Sequence, residues 1–438
     1  MQNTSQGYSL MSRICHKLNK YWYDFLIIIL LIQIPFQNFF LNQTALGVFG
    51  SNMSLIAINF FFVIILLARL NYLKIYKKYL IVFLMYMVIT FVFLLFSGFY
   101  IKSLNLIAKT LNNIIFYSQP FIVFYIFNYL YKINSRLIKI SISMSLYIFL
   151  FLLLYLILNA YGIFTLDTNP ILHGIENGNM RLRLFSSESS MAATVFITFG
   201  IIASMRFDNI YFKSFIILCI LYGSVLLQSK GAFLILLIIC MWSLKFLKLH
   251  HKIFLIFLIT SLLTLSLNSI MNYLLNIQLQ IEKYTSFSTR LTAILAAIIS
   301  LFYYPLGSGF GAYLTFFDAN IIEAKKITEI IFSCFGLVPN FSEVDSYLSS
   351  AAAYCAKTML FNSIMFFGWL GLMLFVYLHY QIYRKIGINP TLKLLFLYLL
   401  LSHVLFVDSL YLYHFWFAFA LIYNYWRIDV KKNINYSK

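Results

Sequence analysis

A chain of 438 residues is long enough for two or three soluble domains, but 62% hydrophobic residues, 10% charged residues and a mean hydropathy of +0.87 exclude a water-soluble fold. The composition predicts an all-α, polytopic integral membrane protein, in which helices satisfy the backbone within the bilayer. The formal charge of +19 does not indicate a nucleic-acid partner, because the basic residues are scattered between apolar runs and form no single basic face.

A spanning helix needs about 20 apolar residues. Runs of that kind occur near 24–41, 53–69, 79–98, 111–131, 140–162, 186–205, 213–228, 231–247, 253–277, 358–383, 393–408 and 410–427, about twelve transmembrane helices in one membrane domain over 1–438. The first run follows a polar stretch and has no small-residue cleavage site behind it, so it reads as an anchor. Taken over alternate connections, one side collects 22 of the 32 basic residues with only Asp24, Asp208 and Asp429, while the other side nets zero. The positive-inside rule makes the first side cytoplasmic, both termini included.

Two longer connections fall on the outer side, 163–185 and 278–357, the latter lying between the ninth and tenth helices. An apolar stretch at 291–304 within the larger one is too short for a comfortable span, and crossing there would put Arg384 and Lys385 outside. It is expected as an interfacial or re-entrant helix. Cys334 and Cys355 share this loop, where oxidation is permitted and a disulfide is open to them.

The candidate chemistry is concentrated at the outer connections. Arg181 and Arg183 precede the hydroxyl-rich start of the sixth span, with Glu188 beside Ser189 and Ser190. A guanidinium fork suits phosphate oxygens and keeps its charge; the other reading is a snorkelling pair ahead of an ordinary helix cap. Lys230, in Ser229-Lys230-Gly231, either completes a diphosphate site or snorkels. Arg290, beside Ser288 and Thr289, is a further cation or an interfacial anchor.

Pro305-Leu306-Gly307-Ser308-Gly309-Phe310-Gly311 has no strand before it and is no nucleotide loop; it predicts a bend that lets backbone approach a partner closely. Asp345, followed by Ser346 and Tyr347, is the preferred carboxylate among Asp318, Glu323, Glu329, Glu343 and Asp345. Lys357 precedes the tenth span. His403, Asp408 and His414 are expected to make structural contacts and not to ligate metal. No pattern for a metal or cofactor occurs.

In this order the features resemble the bacterial O-antigen polymerase and ligase superfamily. The resemblance is carried by Arg183 with Glu188-Ser189-Ser190, by Ser229-Lys230-Gly231 where relatives often have Ser-Arg-Gly, by Arg290 ahead of the glycine run, and by Gly368-Trp369-Leu370-Gly371. It implies a membrane glycosyltransferase of the inner membrane whose donor and acceptor are undecaprenyl-diphosphate-linked oligosaccharides, working beside a flippase and a chain-length regulator. Arg181, Arg183, Lys230 and Arg290 would hold diphosphate. Asp345 or Lys357 would position or activate the acceptor, and Glu188 and Gly309 would make further substrate contacts. Lys357 stands where ligases of this superfamily carry a histidine, which favours an O-antigen polymerase (Wzy type) over a ligase. A lipid-linked oligosaccharide flippase is the alternative of a different class.

Overall fold

Long runs of Leu, Ile and Phe with few breakers fold as helices, because only the helix pairs every backbone group locally in apolar surroundings. The computed structural model describes residues 21–37, 53–68, 77–163, 181–186, 188–243, 285–350, 356–387, 389–407 and 412–428, and five single positions between 252 and 278. Its helices are α1 Tyr21–Gln33, α2 Met53–Ala68, α3 Lys77–Ser97, α4 Leu106–Ile133, α5 Arg136–Ala160, α6 Ser189–Ser204, α7 Ile210–Leu226 and α8 Lys230–Ser243. They continue as α9 Ser286–Tyr303, α10 Leu314–Ser333, α11 Ser342–Ser350, α12 Met359–Tyr383, α13 Pro390–Leu405 and α14 Tyr413–Asn424. The sheet among the described residues is one hairpin, β1 Tyr100–Ile101 antiparallel to β2 Leu104–Asn105.

The fold is all-α, and among the described residues four helices are long and apolar enough to cross a membrane: Leu80–Ser97 within α3, then α4, α5 and α12. Every expected span falls on a helix except the ninth, 253–277, most of which lies outside the described residues. Helix starts follow their caps. Asn105 accepts from the Ile107 and Ala108 amides and starts α4 five residues ahead of the expected 111. Asn389 accepts from Thr391 and Leu392 ahead of Pro390 and starts α13 early.

The segment expected as a large loop with a short helix at 291–304 holds three helices, α9, α10 and α11. The first starts earlier, at Ser286. Charge disguised α10: Leu314, Phe317, Ile321, Ala324, Thr328 and Phe332 form a buried stripe at helical spacing, while Glu323, Lys326 and Glu329 are exposed.

Two large apolar cores result among the described residues, with a small third one of Ala296, Ile299 and Ala324 between α9 and α10. One gathers the buried faces of α1, α2, α5 to α8, α13 and α14 with the C-terminal half of α4, and the other packs α3, the N-terminal half of α4 and α9 to α12. A splice of backbone lies within the second. At Gly368, φ is 56° and ψ is −139°, which breaks α12 and frees polar groups on both sides. The Phe366 carbonyl accepts from the Gly309 amide at 2.9 Å, and the Trp369 amide donates to the Pro305 carbonyl at 2.9 Å. The bend 305–311 thus re-pairs the broken helix, as backbone in an apolar interior requires. A Cβ at Gly307 or Gly368 would overlap the opposing backbone, which is why both are glycine.

Candidate functional site

The α12 entry, the α13 exit and the first turns of α8 and α9 converge at one end of the helices. The Met359 amide donates to the Val407 carbonyl at 2.6 Å, tying α12 to the chain leaving α13. Arg290, in α9, reaches the same place: its Nη1 donates to the Phe406 carbonyl at 3.1 Å and the Lys357 carbonyl at 3.4 Å, and its guanidinium carbon lies 5.5 Å from the Phe406 ring centre. The same ring meets Gly231, where a Cβ would stand 2.5 Å from it, so the Ser229-Lys230-Gly231 turn and Arg290 both reach one phenylalanine.

Lys357 has its ammonium 3.3 Å from Glu343 Oε1. The Tyr347 hydroxyl donates to Oε1 at 2.5 Å, and the Thr285 and Thr289 hydroxyls donate to Oε2 at 3.0 Å each. Partial burial alone would raise the Glu343 pKa, but these hydrogen bonds and Lys357 together hold it below its ordinary value. The Lys357 ammonium also lies 5.6 Å from the centre of the Tyr347 ring.

A second cationic cluster involves Lys230 and Arg181. Lys230, in the connection ahead of the eighth expected span, has its pKa lowered first by burial and then by the positive charge of Arg181. Ser229 beside them is buried, and its hydroxyl has no hydrogen-bond partner among the described residues. Arg183 is 8% exposed and sits on a tightly fixed strand of chain. The Phe185 carbonyl accepts from the Gln37 amide at 3.0 Å, and Ser186 Oγ donates to Gln37 Oε1 at 3.2 Å.

The Gln37 side-chain amide then donates to His414 Nδ1 at 2.9 Å, which leaves the proton on Nε2 to face Thr194 Oγ1 at 3.1 Å. Thr194 passes its own proton to the Met191 carbonyl. This buried chain anchors the arginine segment to α6 and α14.

Backbone strain coincides with these residues. Four non-glycine residues among those described have φ in the left-handed region: Lys357 at 60°, Gln228 at 52°, Leu184 at 50° and Lys102 at 53°. The first is a candidate itself, Gln228 lies two residues before Lys230, and Leu184 follows Arg183. Such conformations persist where the surroundings over-determine them, commonly at functional sites.

The structure brings Arg290 and Lys357 together and puts Arg181 near Lys230. It does not add Asp345, which is turned outward and paired with Lys325 at 2.6 Å; Glu343 occupies the inward position. Glu188 caps α6 in sequence position only, since its carboxylate accepts from Ser190 at 3.0 Å and caps no amide. Gly309 is committed to α12 and to Thr90 of α3. His403 pairs with His379 of α12 at 3.3 Å instead of with His414, and Asp408 lies outside the described residues. Cys334 is a free thiol, and Cys355 lies outside the described residues. Among the described residues no group of three His, Cys, Asp or Glu side chains is placed to hold a metal.

Beneath Lys357 runs an apolar cleft of about 740 Å³, counted with its mouth. Met359, Ser363, Phe367, Gly371, Phe375 and His379 line it at four-residue spacing along α12. These residues lie on both halves of α12, before and after the Gly368 break, and Tyr86, Tyr117 and Trp416 complete the lining. No protein-family model, curated protein or solved structure matches the chain.

Proposed function

We propose that the chain is a membrane-embedded glycosyltransferase that polymerises undecaprenyl-diphosphate-linked oligosaccharide units into O-antigen or a related surface polysaccharide, at the outer face of the bacterial inner membrane. One observation carries the reading: Lys357, whose carbonyl Arg290 binds, stands two residues before Met359 at one end of an apolar cleft that continues along both halves of α12. That combination fits an amphiphile with an anionic head and a long apolar tail. The likeness in motif order to O-antigen polymerases supplies the saccharide.

In the proposed reaction the hydroxyl of an acceptor unit attacks the anomeric carbon of the donor chain. The bond from that carbon to the diphosphate oxygen breaks, the diphosphate leaves with the electron pair, and the hydroxyl proton passes to a base or to water. Arg181, Arg183 and Lys230 would neutralise the departing diphosphate, a charge that grows in the transition state and rewards preplaced cations. Lys357 would face the reacting ends. Glu343, rather than Asp345, is the carboxylate associated with it.

The test is removal of the protein from its host, followed by electrophoresis of the surface glycan and extraction of lipid-linked intermediates. Glycan capped with single repeat units is the expected result. Unchanged long chains would overturn the reading; long polymer left on its lipid would indicate a ligase, and single units trapped on the cytoplasmic leaflet a flippase.

A further inference from the structure

Lys357 is gripped at both of its ends from one turn of α9. Thr289 and Thr285 fix the Glu343 carboxylate that faces the ammonium, while Arg290, the residue after Thr289, binds the Lys357 carbonyl. We propose that Arg290 and Glu343 are positioning residues for Lys357, and that Arg290 serves the site through that lysine and not as a ligand of phosphate. The inference rests on the reading of the site as one for a lipid diphosphate.

The guanidinium of Arg290 is directed at protein. Its Nη1 bonds the Phe406 and Lys357 carbonyls, and its central carbon lies 5.5 Å from the Phe406 ring centre. Those carbonyls belong to the two places where the chain leaves α13 and enters α12, already joined by the Met359 to Val407 hydrogen bond. A forked cation that fastens two chain crossings acts as a strut. What it fastens is strained: Lys357 is left-handed at φ 60°, a conformation that its surroundings must hold.

Glu343 holds the other end. Both its oxygens are occupied, one by Tyr347 and Lys357 and the other by Thr285 and Thr289. A carboxylate so fully engaged is a fixed counter-ion and a poor general base. The Lys230 and Arg181 cluster differs, because there the neighbouring charge is another cation.

The full-length protein in detergent micelles tests this by limited acetylation with an amine-reactive ester, read lysine by lysine from peptide masses. Arg290→Gln and Glu343→Gln should each raise the acetylation rate of Lys357 about fivefold or more, through loss of the ion pair and local opening, while exposed Lys326 stays unchanged. An unchanged Lys357 rate overturns the positioning role. If Arg290→Gln also raises half-buried Lys132, that variant has unfolded, and Glu343→Gln decides by the same criterion.

Binding of farnesyl diphosphate supplies the second arm. Arg183→Gln should weaken it about tenfold, as loss of one charge-assisted contact does, whereas Arg290→Gln should leave it near the unsubstituted value. Equal weakening by both would make Arg290 a phosphate ligand and overturn the assignment. Failure of the unsubstituted protein to bind would instead count against the lipid-diphosphate reading, with the acetylation result still deciding the fate of Lys357.

Discussion

Glu343 and Asp345 are two residues apart, which on a helix separates them by about 200°. That angle decides their roles: Val344 between them is buried, Glu343 faces Lys357, and Asp345 faces Lys325 at the surface. The sequence alone made the cations conspicuous, since charges are rare in so apolar a chain, but it offered no way to know which carboxylate turned inward before α11 was recognised as a helix. The folded pKa of Glu343 lies below its ordinary 4.5, so the stability it contributes is present above that value and is lost as pH falls through the depressed one. Thermal unfolding in detergent should therefore separate the parent from Glu343→Gln at pH 7, the parent being more stable. The gap should close only below about pH 4.5. A gap of constant size down to pH 3 would show that the carboxylate's charge is not what stabilises the clamp.

At the level of elements, hydrophobic runs and caps were legible, and contacts made by backbone were not. Asn105 and Asn389-Pro390 announce the starts of α4 and α13 in sequence, ahead of the points where the hydrophobic runs alone begin. The glycine run 307–311 was legible as a close approach. Its partner was hidden, because the Gly368 break in α12 pairs main chain with main chain. Thr90 of α3 completes this joint: its Oγ1 donates to the Tyr86 carbonyl at 2.7 Å and accepts from the Phe310 amide at 2.9 Å, wholly buried. Thr90→Val keeps the shape and leaves that amide unpaired, which costs about 1–3 kcal/mol. Thr90→Ser should restore most of the loss. Equal thermal stability of Thr90→Val and the parent would mean that the joint contributes nothing to the fold.

At the scale of the whole molecule, the two ends of α12 differ in charge chemistry. Arg384, Lys385 and Arg427 lie over Tyr380, Tyr423 and Trp426 at the C-terminal ends of α12 and α14, an end rich in cations and rings. Lys357, Arg290 and Phe406 mark the opposite end of α12, where Glu343 offsets the charge. If the helices cross a membrane in the orientation that the basic residues favour, positions at these two ends must react from opposite sides. The five native cysteines would first be replaced, and single cysteines then placed at the exposed positions Lys139 and Lys326. A membrane-impermeant maleimide applied to spheroplasts should label Lys326→Cys at once and Lys139→Cys only after lysis. Labelling of both only after lysis would reverse the placement of α9 to α11. The cation cluster would then face the cytoplasm, where a flippase and not a polymerase would first meet its lipid-linked substrate.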